Sequence, residues 1–272
     1  MEARGRGTIP SLDGIRAVAI GLVFAAHLGL DHIVPGGLGV TVFFALSGYL
    51  ITTLLRDEYA RTGGIDFRLF YLRRVIRLFP PLYLVVAFSV ITSRAGFLEG
   101  TGTVGGVISI LLYYPNYYAA MFGPETMPAG LGPLWSLAIE EHFYLFFPPL
   151  ALILVTRPRS TAIRVLAGLC AAALVWRLVL YVGIGVSENY IYSATDTRID
   201  SLAFGCLLAF AWNPRDRAPS ADQHPARMHL WVIGALALLL FTLVIRDDVF
   251  RSTLRYSLQG MALMVLIYWS VT

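Results

Sequence analysis

The sequence has no lysine and little charge of any kind. Only 14% of its 272 residues are charged, whereas a soluble domain carries about 25%. This deficit excludes an ordinary water-exposed globule. Together with 57% hydrophobic residues and a mean hydropathy of +0.68, it points to a chain that folds in lipid. There are two cysteines, Cys170 and Cys206, both in apolar stretches and without the spacing of a metal site or disulfide. A zinc-bound or disulfide-stapled fold is therefore excluded, and both read as small packing residues. No sequence repeat, coiled-coil heptad or soluble domain interrupts the chain, and its charged or Pro/Gly-rich connections, 56–68 and 213–228, are short. All 21 basic residues are arginine. The pI near 9.2 thus arises from short arginine blocks between apolar runs, which read as an orientation signal. No nucleic-acid partner is expected.

The apolar runs have lengths suited to a hydrocarbon core of ~30 Å. They cover 15–34, 38–55, 79–93, 105–123, 135–155, 162–184, 200–212, 229–245 and 256–272. Arg4 and Arg6 followed by an apolar run resemble a signal peptide, but Asp13 and Arg16 crowd that run, so it reads as a retained first span. Segment 105–123 contains Tyr113, Tyr114, Pro115, Asn116, Tyr117 and Tyr118, a polar-aromatic knot unsuited to lipid. Treating it as re-entrant raises the arginines on the cytoplasmic side from 12 to 14 and lowers those outside from 7 to 5. The expected fold class is all-α integral membrane: a polytopic transmembrane helix bundle of about eight spans plus a re-entrant segment. It would lie in the inner (plasma) membrane, in contact with membrane lipid, with a cytoplasmic N-terminus. The sequence stops at Thr272, just after Tyr268 and Trp269, with no polar tail. Residues 1–272 are therefore expected to form a single transmembrane domain truncated at its C-terminus.

Ionisable residues inside such spans are costly and mark candidate sites. Arg16 and His27 are eleven residues apart, so a continuous α-helix would place them on one face, ~16 Å apart along the axis. Asp13 lies on nearly the same stripe. Arg73, Arg74 and Arg77 are spaced i,i+3 and i,i+4, which sets them on one side of a helix. There they would hold either anionic lipid headgroups or the phosphates of a ligand. Trp135-Ser136-Leu137-Ala138-Ile139-Glu140-Glu141-His142 opens an apolar helix with two acids and a histidine, more than helix capping requires. Asp196-Thr197-Arg198-Ile199-Asp200 places three charges at the mouth of another span. For that last group a local ion pair and a functional role are equally open readings.

In sequence order these motifs resemble the acyltransferase type 3 family of polytopic membrane O-acyltransferases. Arg16 and His27 match its Arg-x10-His motif, within an opening Ser11-Leu12-Asp13-Gly14-Ile15-Arg16-Ala17. Gly39-Val40 and Phe43-Phe44-Ala45-Leu46-Ser47-Gly48-Tyr49 are similar to its second-helix signature. Arg73-Arg74-x-x-Arg77-x-x-Pro80, Leu134-Trp135-Ser136-Leu137 with Glu140-Glu141, and Asp196-x-Arg198-x-Asp200 with Gly205 resemble later motifs. The resemblance implies about ten spans in a full protein, with acyl transfer from cytoplasmic acyl-CoA, expected to be acetyl-CoA, as a co-substrate and no tightly bound cofactor. The acceptor would be a hydroxyl on a sugar-containing molecule: a surface polysaccharide, a glycolipid, peptidoglycan or a macrolide. On this reading His27 is the general base, Arg16, Glu140 and Asp13 support it, and Arg73, Arg74 and Arg77 bind the coenzyme A phosphates. No metal is expected. The rival reading is a transporter or flippase in which buried His, Asp and Arg form a proton relay.

Overall fold

The computed structural model describes residues 10–100, 102–213, 216 and 226–272. Arg4, Arg6, Arg215, Arg217, the side chain of Arg227 and most of the 213–228 connection lie outside the described residues. Among the described residues all regular structure is helical. Helix α1 (Pro10–Ala25) runs into a π turn, Ala26–Leu30, and is followed by α2 (Gly36–Thr62) and α3 (Phe67–Arg94). Two short helices, α4 (Val104–Leu111) and α5 (Pro115–Phe122), precede α6 (Trp135–Val155). Next come α7 (Arg159–Leu178), which ends in a second π turn, α8 (Glu188–Ser193) and α9 (Thr195–Ala211). Helices α10 (Ala226–Val244), α11 (Asp248–Ser252) and α12 (Leu254–Val271) complete the order.

Among the described residues, five helical stretches are long and apolar enough to cross a membrane: Pro10–Leu30, Gly36–Thr62, Phe67–Arg94, Gly132–Val155 and Arg159–Ile184, with Met228–Val244 a shorter apolar helix. The expected eight spans exceed this set. One reason is visible in α9, which opens with Asp196, Arg198 and Asp200 and has little uninterrupted apolar length. Segment 105–123 is divided at Tyr113 into two eight-residue helices, each about 12 Å long and too short to cross alone. Helix α3 begins well before the expected 79. The Asp66 side chain caps it by accepting from the Leu69 N–H at 2.9 Å, so the arginine cluster lies within the helix.

The chain forms two compact units. One comprises the chain up to Leu54, Arg157–Val175 and Asp200–Thr272, and the other comprises Leu55–Thr156 and Trp176–Ile199. In the first, Leu12, Ala19, Ala45, Leu46, Tyr49, Leu208, Ala209, Ala235, Leu263 and Ile267 share one core. Lipid provides no hydrophobic drive between helices, so close backbone packing and interhelical hydrogen bonds must hold them. Gly48 and Gly205 provide the close packing. A Cβ on Gly48 would overlap the Leu202 carbonyl and reach 3.2 Å from Cys206 Sγ; one on Gly205 would overlap the Ala45 carbonyl and stand 2.6 Å from Tyr49 N. The hydrogen bonds include Ser257 Oγ to Asp200 Oδ2 at 2.8 Å, Asn213 Nδ2 to Thr53 Oγ1 at 3.2 Å and Gln259 Nε2 to Thr242 Oγ1 at 3.2 Å. Both cysteines are buried. In the second unit Leu82 and Val86 of α3 pack with Ile110 of α4, Met127 and Leu131. The opposite side of α3 exposes Leu84, Phe88 and Ile91, as suits a helix that meets lipid.

Candidate functional site

The first unit carries Asp13, Arg16 and His27. Arg16 Nη1 lies 3.2 Å from Asp13 Oδ1, and both side chains are close to half exposed. The regular helix stops at Ala25, two residues before His27, and the chain bends back at Gly29, whose φ is +92°. The φ/ψ values stay helical through His27 and leave the helix only at Leu28 and Gly29, so the bend begins beyond the histidine. Glycines fix this turn against α2. A Cβ on Gly36 would stand 2.6 Å from Ala26 Cβ, and one on Gly39 would stand 2.8 Å from Val23 Cγ2. The His27 ring is exposed, and its Nδ1 lies 2.7 Å from the Val23 carbonyl oxygen. A carbonyl only accepts, so Nδ1 carries the hydrogen. In the neutral ring Nε2 then holds the free lone pair.

The second unit carries the other charged motifs and separates the three arginines. Arg73 and Arg77 are exposed, whereas Arg74 is turned inward. Its guanidinium lies 3.2 Å from the Tyr144 ring centroid and 4.9 Å from that of Phe70. Its Nη1 is 3.8 Å from Glu141 Oε1, with only 22% and 16% of the two side chains exposed. Glu140 takes a different direction: its Oε2 accepts from the Tyr144 hydroxyl at 3.4 Å. The two adjacent acids thus have distinct partners.

His142 has its Nδ1 2.7 Å from Thr195 Oγ1, and the Tyr113 main chain is another hydrogen-bonding neighbour of the ring. Asn116, fully buried, donates to Thr195 Oγ1 at 3.0 Å. Alongside, Asp196 collects three donors: the Tyr117 hydroxyl at 2.9 Å, the Tyr190 hydroxyl at 3.3 Å and the Trp176 indole N–H at 2.7 Å. Burial, and then the adjacent Asp196 carboxylate, push the Tyr190 phenol up to about 12. The same two causes raise Tyr117. Arg198, completely buried, donates to the Tyr192 carbonyl at 3.1 Å and lies over the Trp135 and Tyr192 rings. Asp200, two residues on, accepts from the Ser257 hydroxyl at 2.8 Å.

Tyr113 is the one described non-glycine residue with positive φ, at 58°. It ends α4 in a Schellman turn, with Tyr114 N–H to Ser109 O at 2.8 Å and Tyr113 N–H to Ile110 O at 3.1 Å. Glycine is the usual residue there because a Cβ costs about 1 kcal/mol or more in this conformation. Burial, followed by the Glu141 carboxylate and Tyr83, pushes its phenol up to about 12. The sequence motifs indicated His142, Glu141 and Arg74 but gave no sign of Thr195, Asn116 or the turn at Tyr113. The tyrosine-rich knot was the one available hint.

The family profile described as an acyltransferase domain matches residues 9–272. Peptidoglycan O-acetyltransferase OatA of Listeria monocytogenes is 34% identical over 246 residues, covering 88% of this chain and 39% of that protein. The Bacillus subtilis protein named "Putative peptidoglycan O-acetyltransferase YrhL" is 36% identical over 254 residues, again covering 88% of this chain and 39% of that protein. The chain thus spans about two fifths of the length of these relatives. No solved structure matches it.

Proposed function

The chain belongs to the acyltransferase type 3 family, and on that premise we propose that it is a membrane O-acyltransferase taking an acetyl group from cytoplasmic acetyl-CoA. The acceptor is a hydroxyl on a sugar-containing molecule, with peptidoglycan favoured by the names of the relatives. The observation that carries this reading is the His27 hydrogen bond to Val23, which leaves Nε2 basic. Nε2 takes the proton of the acceptor hydroxyl as its oxygen attacks the thioester carbonyl carbon. The carbon–sulfur bond breaks, and the thiolate leaves with the proton returned from Nε2. Arg16, steadied by Asp13 at 3.2 Å, supplies positive charge for the oxyanion or the thiolate. Arg73 and Arg77, exposed one helical turn apart, grip the coenzyme A phosphates. Arg74, engaged by Tyr144 and Glu141, is released from the phosphate role. Glu140 stays in the proposal as a supporting carboxylate.

The test is acetyl transfer from labelled acetyl-CoA to peptidoglycan in membranes carrying the protein. His27→Ala should reduce transfer by a factor of ~10² to 10⁴ without lowering the thermal midpoint, because the ring is exposed. Transfer retained by that variant would remove His27 from the mechanism. Acceptor movement across the membrane without acetylation would favour the transporter instead.

A further inference from the structure

Among the buried polar atoms of the second unit that have no hydrogen-bond partner in the described residues are Arg74 Nε, Glu141 Oε1 and Tyr113 Oη. Arg74 and Glu141 are direct neighbours, with Nη1 3.8 Å from Oε1, and Tyr113 meets the same helix through its main chain at His142. Each orphaned atom costs free energy unless something meets it, and in an apolar bundle that cost is not relieved by bulk water. The position of Tyr113 strengthens the point. The chain places tyrosine where glycine would be easier, and that left-handed residue presents its main chain to His142, the residue after Glu141 in α6. Strain of this kind is kept where it positions a functional group.

The three atoms specify what they bind. Arg74 Nε–H needs an acceptor, the Glu141 oxygen needs a donor, and a phenol serves either way. A phosphate satisfies Arg74 but is repelled by Glu141. A thioester carbonyl only accepts and leaves Glu141 unmet. An ammonium only donates and faces a guanidinium. A hydroxyl does both. The rings around it, Tyr144 and Phe70 against Arg74 and Phe79 5.5 Å from Tyr113, suit the C–H faces of a sugar. We propose that Arg74, Glu141 and Tyr113 form a binding site for a hydroxyl of the acceptor sugar. The proposal rests on the acceptor class put forward above and adds the residues that select it.

The experiment measures binding of a soluble peptidoglycan disaccharide and its monodeoxy analogues to the detergent-solubilised protein, without acetyl-CoA. Wild type is compared with Glu141→Gln and with Tyr113→Phe, which removes a single oxygen and leaves the turn intact. One analogue should bind wild type about tenfold more weakly than the parent, a loss typical of a hydrogen bond to a charged group. In Glu141→Gln the difference between that analogue and the parent should largely vanish, and in Tyr113→Phe it should shrink. If no analogue is discriminated, if both variants keep the wild-type pattern, or if the disaccharide does not bind, the three atoms hold water and the proposal fails. Loss of acetyl-CoA binding in Tyr113→Phe would make this a donor site and overturn it equally. Coupled discrimination in a protein that transfers no acetyl group would leave the hydroxyl site standing while the acyl-transfer reading falls.

Discussion

Substituting alanine at Gly48 or Gly205 tests whether the close helix crossing in the first unit holds it together. Each new Cβ points at backbone, which cannot rotate away. At Gly205 it would lie 2.6 Å from Tyr49 N and 3.0 Å from the Ala45 carbonyl carbon; at Gly48 it would lie 2.9 Å from the Leu202 carbonyl carbon. Ordinary contact is ~3.5 Å, so α2 and α9 must separate by something near 1 Å. That separation also stretches the Cys206 thiol contact with the Gly48 carbonyl at 3.5 Å and loosens Ala45, Leu46, Tyr49, Leu208 and Ala209, which share the core. Overpacking of a well-filled interior costs about 1–3 kcal/mol, and the upper end applies here because the obstacle on each side is main chain. The double variant is the decisive measurement. One opening relieves both clashes, so Gly48→Ala/Gly205→Ala should cost about as much as either single change, leaving a coupling energy of ~2–3 kcal/mol. Independent sites would add to within ~0.5 kcal/mol. Reversible unfolding in mixed micelles, followed by tryptophan fluorescence, gives all three values. Additive costs, or single variants as stable as wild type, would refute the shared crossing.

Two further expectations concern the second unit. Arg74→Met should destabilise the protein by about 2 kcal/mol, less than the 3–5 kcal/mol for a fully buried pair because both side chains retain some exposure; adding Glu141→Gln should restore most of it, and an Arg74→Met protein as stable as wild type would show that Glu141 is not stranded by the change. The Tyr190 phenol, pushed up to about 12, stays protonated in the folded protein above pH 10 where the unfolded chain ionises, so its contribution to stability is complete below about pH 10 and is lost as pH rises to about 12. Phenolate absorbance compared with Tyr190→Phe should show that late titration, and Asp196→Asn should bring it only part of the way back, since burial is the larger cause.

What the sequence revealed and what it hid follow from the range of each physical rule. Apolar run length is a local property, and it located α6 at 135–155 to the residue and α12 to within two. Spacing arithmetic works only while the helix is regular. It paired Asp13 with Arg16, three residues apart, and it stops being usable just beyond His27, where Leu28 and Gly29 leave the helix. Spacing also grouped Arg74 with Arg73 and Arg77, because nothing within α3 announces that Tyr144 and Glu141, on another helix, will draw one guanidinium inward. The Asn116–Thr195–His142 chain joins residues 79 and 53 positions apart, beyond any single-helix periodicity. Tyr113 was hidden for the opposite reason: turn rules seek glycine in the left-handed position, and the chain has tyrosine there. Where a local rule is broken, as by a left-handed tyrosine whose main chain meets His142, a functional or strained position is the expectation. That reasoning raises Tyr113, which no motif singled out, above Glu140, which one did.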